Sequence, residues 1–241
     1  MSAADRAAPG QAMGRGDERR RDRQVPGDSR EAARIVILDY GMGNLRSVEK
    51  ALQRVGAEAE RTHDAERVRA ADGVILPGVG AFPRAMDRVH ELGLDALVRE
   101  RLDEGIPVLG ICLGLQLLFQ RSVENDGANG LGLLKGTVEP LDAGELKVPH
   151  IGWSPVRWER PSPLLEGLGD ETPFYFVHSF TPRPANEGDV LGTAAHGERF
   201  ACAVERPPLY GVQFHPEKSS AAGLRLLTNF TRICAAVTAP A

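Results

Sequence analysis

Apolar residues first gather at Arg34-Ile-Val-Ile-Leu-Asp-Tyr40. A short, nearly unbroken run of this kind marks a strand buried on both faces, as in a parallel sheet. After the loop Gly41-Met-Gly43, Leu45, Val48, Leu52 and Val55 recur at helical spacing, and Gly56 stops that helix. Gly73-Val-Ile-Leu-Pro77 is a second buried run, residues 83–104 are helical by pattern up to Gly105, and Ile106-Pro-Val-Leu-Gly-Ile111 is a third run. A helix over Leu113–Gln120 follows directly. This alternation predicts an α/β sheet with right-handed crossovers. The second half has a different texture. Val138, Val156–Trp158, Phe174–Phe180, Val190–Thr193, Phe200–Glu205 and Leu209–Phe214 are short strand-like pieces punctuated by Pro and Gly. A last helix is expected near Ala221–Ala235. The expected fold class is α/β: an open mixed, mainly parallel sheet flanked by helices, with additional antiparallel strands in the second half.

Composition changes that picture at one end. Residues 1–34 contain no Ile, Leu, Phe, Tyr or Trp, but eight Arg and six Asp or Glu. Such a segment buries too little apolar surface to offset the entropy of ordering. A disordered tail is expected over 1–33 and a single domain over 34–241. The tail has no apolar region of the kind a signal peptide needs. The whole 241-residue chain carries a formal charge of −4, which argues against a basic protein that coats nucleic acid. No apolar run approaches the roughly 20 residues that span a bilayer. The three cysteines, Cys112, Cys202 and Cys234, are widely spaced. Neither a disulfide framework nor a metal site is expected, and a reducing cytoplasm is.

Three places carry candidate chemistry. Gly110-Ile-Cys112-Leu-Gly114 falls at a strand-to-helix junction. A nucleophile there sits on a tight turn above the end of the sheet, and the helix N-terminus favours negative charge on it. Read alone, Cys112 is equally a small buried core residue. In Gln213-Phe-His215-Pro-Glu217-Lys218, the His ends a strand, and Pro216 can turn Glu217 back on the ring. A His oriented by a carboxylate is the base that a cysteine nucleophile needs. In Leu76-Pro77-Gly78-Val79-Gly80-Ala81-Phe82, two glycines free the Val79 peptide to adopt unusual torsions. Its N–H, with that of Leu113, could hold an oxyanion. The bland reading of that segment is a simple turn feeding a helix.

Together these segments resemble the class I glutamine amidotransferases, and the resemblance covers about residues 34–236. Tyr40-Gly-Met-Gly-Asn44, Pro77-Gly-Val-Gly-Ala-Phe82, Pro149-His-Ile-Gly-Trp153, Phe176-Val-His-Ser-Phe180 and His215-Pro-Glu-Lys-Ser-Ser220 narrow it. They resemble the family of glutaminase subunits of imidazole glycerol phosphate synthase, of flavodoxin-like fold. The resemblance implies that Cys112 attacks the side-chain amide of glutamine, that His215 moves the proton, and that Glu217 orients His215. It implies an oxyanion hole from the Val79 and Leu113 amides, and substrate contacts from Gly80, Gln116, Ser179 and Phe180. No cofactor is implied. The implied partner is a separate (β/α)8-barrel cyclase subunit. That subunit would use the ammonia to make imidazole glycerol phosphate and AICAR in histidine biosynthesis. Asn44, Pro149, Ile151, Trp153 and Lys218 would lie at the interface. Ser154 departs from the Asn common there. The alternative is a stand-alone γ-glutamyl hydrolase-like enzyme of the same fold.

Overall fold

The computed structural model describes residues 32–237. The tail expected over 1–33 lies outside the described residues except for its last two positions. The first half runs β1 (Arg34–Leu38), α1 (Leu45–Arg54), β2 (Glu58–Thr62), α2 (Ala65–Arg69), β3 (Gly73–Leu76), α3 (Phe82–Glu91), α4 (Leu94–Asp103), β4 (Val108–Ile111) and α5 (Leu113–Leu117). It continues with β5 (Phe119–Ser122), β6 (Ala128–Asn129), β7 (Leu134–Pro140), β8 (His150–Trp158), β9 (Glu171–His178) and β10 (Phe180–Pro184). The last elements are β11 (Val190–His196), β12 (Glu198–Arg206), β13 (Leu209–Val212) and α6 (Ser220–Val237).

Among the described residues, nine strands form one sheet in the order β2-β1-β3-β4-β13-β12-β11-β8-β9. The pairs from β2 across to β13 are parallel, and those from β13 to β9 are antiparallel. The sheet is therefore mixed, as expected, with its antiparallel half as extensive as the parallel one. A smaller sheet runs β10-β7-β5-β6.

The unbroken apolar run of β1 has a direct cause, since both of its faces are covered. Ile35 and Ile37 join a core with Val48 and Leu52 of α1 and Leu226 and Phe230 of α6. Val36 and Leu38 join the opposite core, with Val68 of α2, Phe82 and Val89 of α3, and Leu94 and Val98 of α4.

The structure departs from the sequence pattern at particular places. The helix expected over 83–104 is two helices, broken at Gly93, whose φ is +65°. Glycine takes this left-handed conformation readily, and the chain turns there without disturbing the apolar spacing on either side. The helix expected over Leu113–Gln120 stops at Leu117, and Phe119–Ser122 is strand β5. The carbonyls of Leu117, Leu118 and Phe119 accept from the N–H groups of Leu131, Leu134 and Gly132, so tertiary partners replace the next helical turn. The piece expected over Phe174–Phe180 divides at Ser179 between the two sheets. Strand β2 carried no apolar signal, because Glu-Ala-Glu-Arg-Thr is an edge strand with mostly exposed side chains.

Phe174 stacks on Phe214 with ring centroids 4.0 Å apart, and both are fully buried. Phe174→Ala is expected to cost about 3–5 kcal/mol. Urea denaturation should show a lower midpoint with an unchanged slope.

Candidate active site

Cys112 stands between the last residue of β4 and the first of α5, at φ 55° and ψ −111°. Few non-glycine residues adopt a positive φ, and the strain is held by what surrounds it. The Cys112 N–H donates to the Val212 carbonyl of β13 at 2.8 Å. On the helix side, a Cβ on Gly114 would lie 1.7 Å from the Leu76 carbonyl oxygen of β3, so no larger residue fits there. The turn presents Cys112 beside Leu113, whose N–H occupies the first helical position, where helices leave donors without intrahelical partners.

Strand pairing brings His215 to the same place. Ile111 of β4 pairs with Val212 of β13, so the residues just beyond each strand emerge side by side. The His215 N–H donates to the Tyr175 carbonyl at 2.9 Å, and the Ser219 hydroxyl donates to the His215 carbonyl at 2.7 Å. Pro216 opens a single 3-10 turn, Pro216–Lys218, which folds Glu217 back. Glu217 Oε1 then accepts from His215 Nδ1 at 2.8 Å, with both side chains almost fully buried. That bond leaves His215 Nε2 and Glu217 Oε2 buried without hydrogen-bond partners. Burial disfavours the imidazolium, but the Cys112 sulfur and the Glu217 carboxylate outweigh it and push His215 up to about 9.

A cavity of about 350 Å³ is lined by Cys112 and His215 together with Val79, Gly80, Leu113, Gln116, Ser179 and Phe180. The oxyanion-hole and substrate candidates thus share one space with the two reactive groups. Glu217 sits behind His215, outside that lining. The Pro77–Phe82 segment is tied at both ends. Tyr40 donates its hydroxyl to the Pro77 carbonyl at 2.5 Å, and the Phe82 N–H donates to Glu124 Oε2 at 2.8 Å. Between those ties Gly80 has φ +101°, and Val79 is 40% exposed.

Of the interface candidates, Pro149 also lines the cavity and follows a cis peptide bond from Val148. Asn44 and Lys218 are exposed on the surface. Ile151 and Trp153 are 60% and 52% exposed on β8, and Val148 is exposed beside them. Exposed apolar side chains grouped near a cavity are a feature that interaction surfaces share.

Sequence reasoning passed over three residues around the cavity. Gln213 donates from Nε2 to Cys112 Sγ at 3.6 Å, and its only sequence signal was a polar side chain within a buried strand run. His178 and Glu124 line the cavity. His178 lies inside a motif already noted, whereas Glu124, in a polar turn, carried no signal.

A cysteine on a strained elbow, a carboxylate-held histidine and a paired-glycine loop around one cavity are the parts that thiol-dependent acyl transfer requires. The sequence profile of the family "Glutamine amidotransferase class-I" matches residues 36–234. The imidazole glycerol phosphate synthase subunit HisH of Moorella thermoacetica is 54% identical over 81% of this chain and 93% of its own. The protein of that name from Aquifex aeolicus is 48% identical over 83% of this chain and 96% of its own. The solved structure of PurLQS from Thermotoga maritima shares the fold, with a TM-score of 0.67 at 19% identity over 84% of this chain and 99% of that one. The chain belongs to the class-I glutamine amidotransferases and, among them, to the family of imidazole glycerol phosphate synthase subunits HisH. No helix among the described residues is long and apolar enough to cross a membrane.

The raised value for His215 has a thermodynamic consequence. Its folded-state value of about 9 lies above its ordinary 6.5, so the folded protein holds a proton that the unfolded chain has lost. The resulting stabilisation is complete below pH 6.5 and is lost as the pH rises through about 9. NMR titration should find the His215 ring still protonated at pH 8. Between these limits, His215→Gln should lose less stability per pH unit than the wild type.

Proposed function

We propose that this chain, with residues 34–241 as its one domain, is the glutaminase subunit of imidazole glycerol phosphate synthase. In this reading the Cys112 thiol passes its proton to His215, and the sulfur attacks the side-chain carbonyl carbon of glutamine. The Val79 and Leu113 amides stabilise the tetrahedral oxyanion. The carbon–nitrogen bond breaks as His215 protonates the departing ammonia, leaving a glutamyl thioester on Cys112. His215 then takes a proton from water, which hydrolyses the thioester to glutamate and frees the thiol. Glu217 keeps the His215 ring oriented and supports its positive charge. Gly80, Ser179 and Phe180 contact the substrate. Both amide N–H groups of Gln116 are occupied, by Phe180 O and Gln213 Oε1 at 3.0 Å each, so it can offer only its oxygen. Glu124 supplies a carboxylate for the α-ammonium group.

The observation that carries this reading is the meeting of Cys112 and the His215–Glu217 pair in one cavity with the Val79–Gly80 loop and Leu113. The names of the HisH relatives support the assignment of reaction and partner. The ammonia would pass to a separate (β/α)8-barrel cyclase subunit in the cytoplasm, seated over Asn44, Pro149, Ile151, Trp153 and Lys218. The alternative reading is a stand-alone γ-glutamyl hydrolase, which would need no partner.

Glutamate release by the purified chain should be low and should rise on adding the barrel subunit with its nucleotide ligand; full activity in isolation would favour the hydrolase. In the complex, Cys112→Ala should abolish glutamine-dependent synthesis yet preserve synthesis from added ammonia. Loss of both activities would assign Cys112 another role. Trp153→Ala should weaken the complex by about 2 kcal/mol or more, as large exposed aromatics at interface centres do. Calorimetric titration of the two subunits measures that loss.

A further inference from the structure

A row of polar side chains runs from the rim of β8 to the nucleophile. Ser154 Oγ lies 2.9 Å from His150 Nε2, and His150 Nδ1 lies 3.0 Å from His178 Nε2. His178 Nδ1 is 2.9 Å from the Phe180 carbonyl oxygen. Gln116 Nε2 meets that same oxygen at 3.0 Å and Gln213 Oε1 at 3.0 Å. Gln213 Nε2 completes the row at Cys112 Sγ.

One atom sets the direction of every bond in it. A carbonyl oxygen accepts and never donates, and its two lone pairs take two donors. His178 must therefore carry its proton on Nδ1, which makes Nε2 of the neutral ring an acceptor. His150 must then donate from Nδ1 and accept at Nε2 from the Ser154 hydroxyl. On the other side, Gln116 must turn its amide nitrogen to Phe180. That nitrogen also donates to Gln213, which fixes the Gln213 oxygen toward Gln116 and its N–H toward the sulfur.

The Phe180 carbonyl is available for this because the neighbouring residue makes the ladder bond. Leu141 N–H donates to Ser179 O at 2.9 Å, so the next carbonyl of the strand turns away from β7. Aromatic neighbours hold the His150 ring, which stacks on Phe176 and His196 at centroid distances of 4.9 and 4.2 Å. Burial first, and the neighbouring His196 second, lower His150 to about 4. For His178, burial outweighs the Phe180 hydrogen bond and gives about the same value. Both rings are neutral at physiological pH, as the directed row requires.

We propose that Ser154, His150 and His178 are positioning residues for Cys112: through the Phe180 carbonyl, Gln116 and Gln213 they aim an N–H donor at the sulfur. The proposal rests on Cys112 being the nucleophile assigned above. His178 pins the Phe180 carbonyl in place; if the row relaxes, that carbonyl shifts, and Gln116 and then Gln213 lose the fixed acceptor that keeps the N–H aimed at the sulfur.

Two measurements test this: alkylation of Cys112 by iodoacetamide in the full chain, followed by peptide mass spectrometry, and kcat and KM for glutamate release in the complex with the barrel subunit. His150→Leu should slow alkylation and kcat by about tenfold, the scale of a hydrogen bond to a charged group, with little change in KM. His150→Asn, which retains a donor near the Nδ1 position, should recover most of the loss. In a Gln213→Leu background His150→Leu should have no further effect, since both act on one bond. Additive losses, equal losses for Leu and Asn, or wild-type rates in His150→Leu would overturn the proposal. Should His150→Leu not fold, Ser154→Ala at the half-buried rim decides. Its loss of about twofold should be present alone and absent in Gln213→Leu. Normal glutamate release with no dependence on His150 sinks the row alone. A chain that releases no glutamate, yet shows the alkylation contrast, sinks the glutaminase assignment alone.

Discussion

The backbone of Cys112 is the constraint on which the site depends. A non-glycine residue at φ 55° and ψ −111° costs on the order of 1–3 kcal/mol, and it persists only where its surroundings over-determine it. Here β3 and β13 do so from either side of β4. Val212 accepts the Cys112 N–H, and the Leu76 carbonyl presses on Gly114 so closely that no side chain fits between them. The parallel half of the sheet is thus more than a scaffold. Its two apolar cores hold three strands in register, and that register keeps the sulfur raised at the sheet's end with the first N–H of α5 beside it.

The same pairing explains how an ionisable pair can be buried. His215 and Glu217 leave β13 where Cys112 leaves β4, so groups about a hundred residues apart meet without a long loop. Removing an imidazolium from water is costly. That cost is offset by a carboxylate on Nδ1 and by the sulfur nearby, and His215 keeps its proton well into the alkaline range. The antiparallel half supplies different parts. Strands β8 and β9 bring His150 and His178 into contact and carry Ile151 and Trp153 at the surface. The Pro77–Phe82 segment lies between the two roles, anchored by Tyr40 and Glu124 and exposed at Val79.

The reactive groups were legible in the chain because their signals are local. A cysteine flanked by glycines at a strand-to-helix junction states its own turn, and Pro216 states the bend that returns Glu217 to His215. Strands β1, β3 and β4 were legible for a related reason, since burial on both faces leaves an unbroken apolar run. Other features had no local signal. Edge strand β2 is mostly polar. The end of α5 is set by the donors of Leu131, Gly132 and Leu134, which lie over a dozen residues away. Gln213 and Glu124 are ordinary polar residues until the fold places them against the sulfur and the Phe82 amide.

By itself, then, the order of residues determined the alternation of strand and helix, the tight turn at Cys112 and the pairing of His215 with Glu217. Each of these depends on torsions and burial within a few neighbouring residues. Tertiary structure alone decided where α5 stops, which polar groups meet in the cavity, and which way each hydrogen bond around it points. Those outcomes depend on partners distant in the chain. The direction of the row from Ser154 to Cys112 follows from one backbone carbonyl that strand pairing leaves free, and no segment of sequence records that.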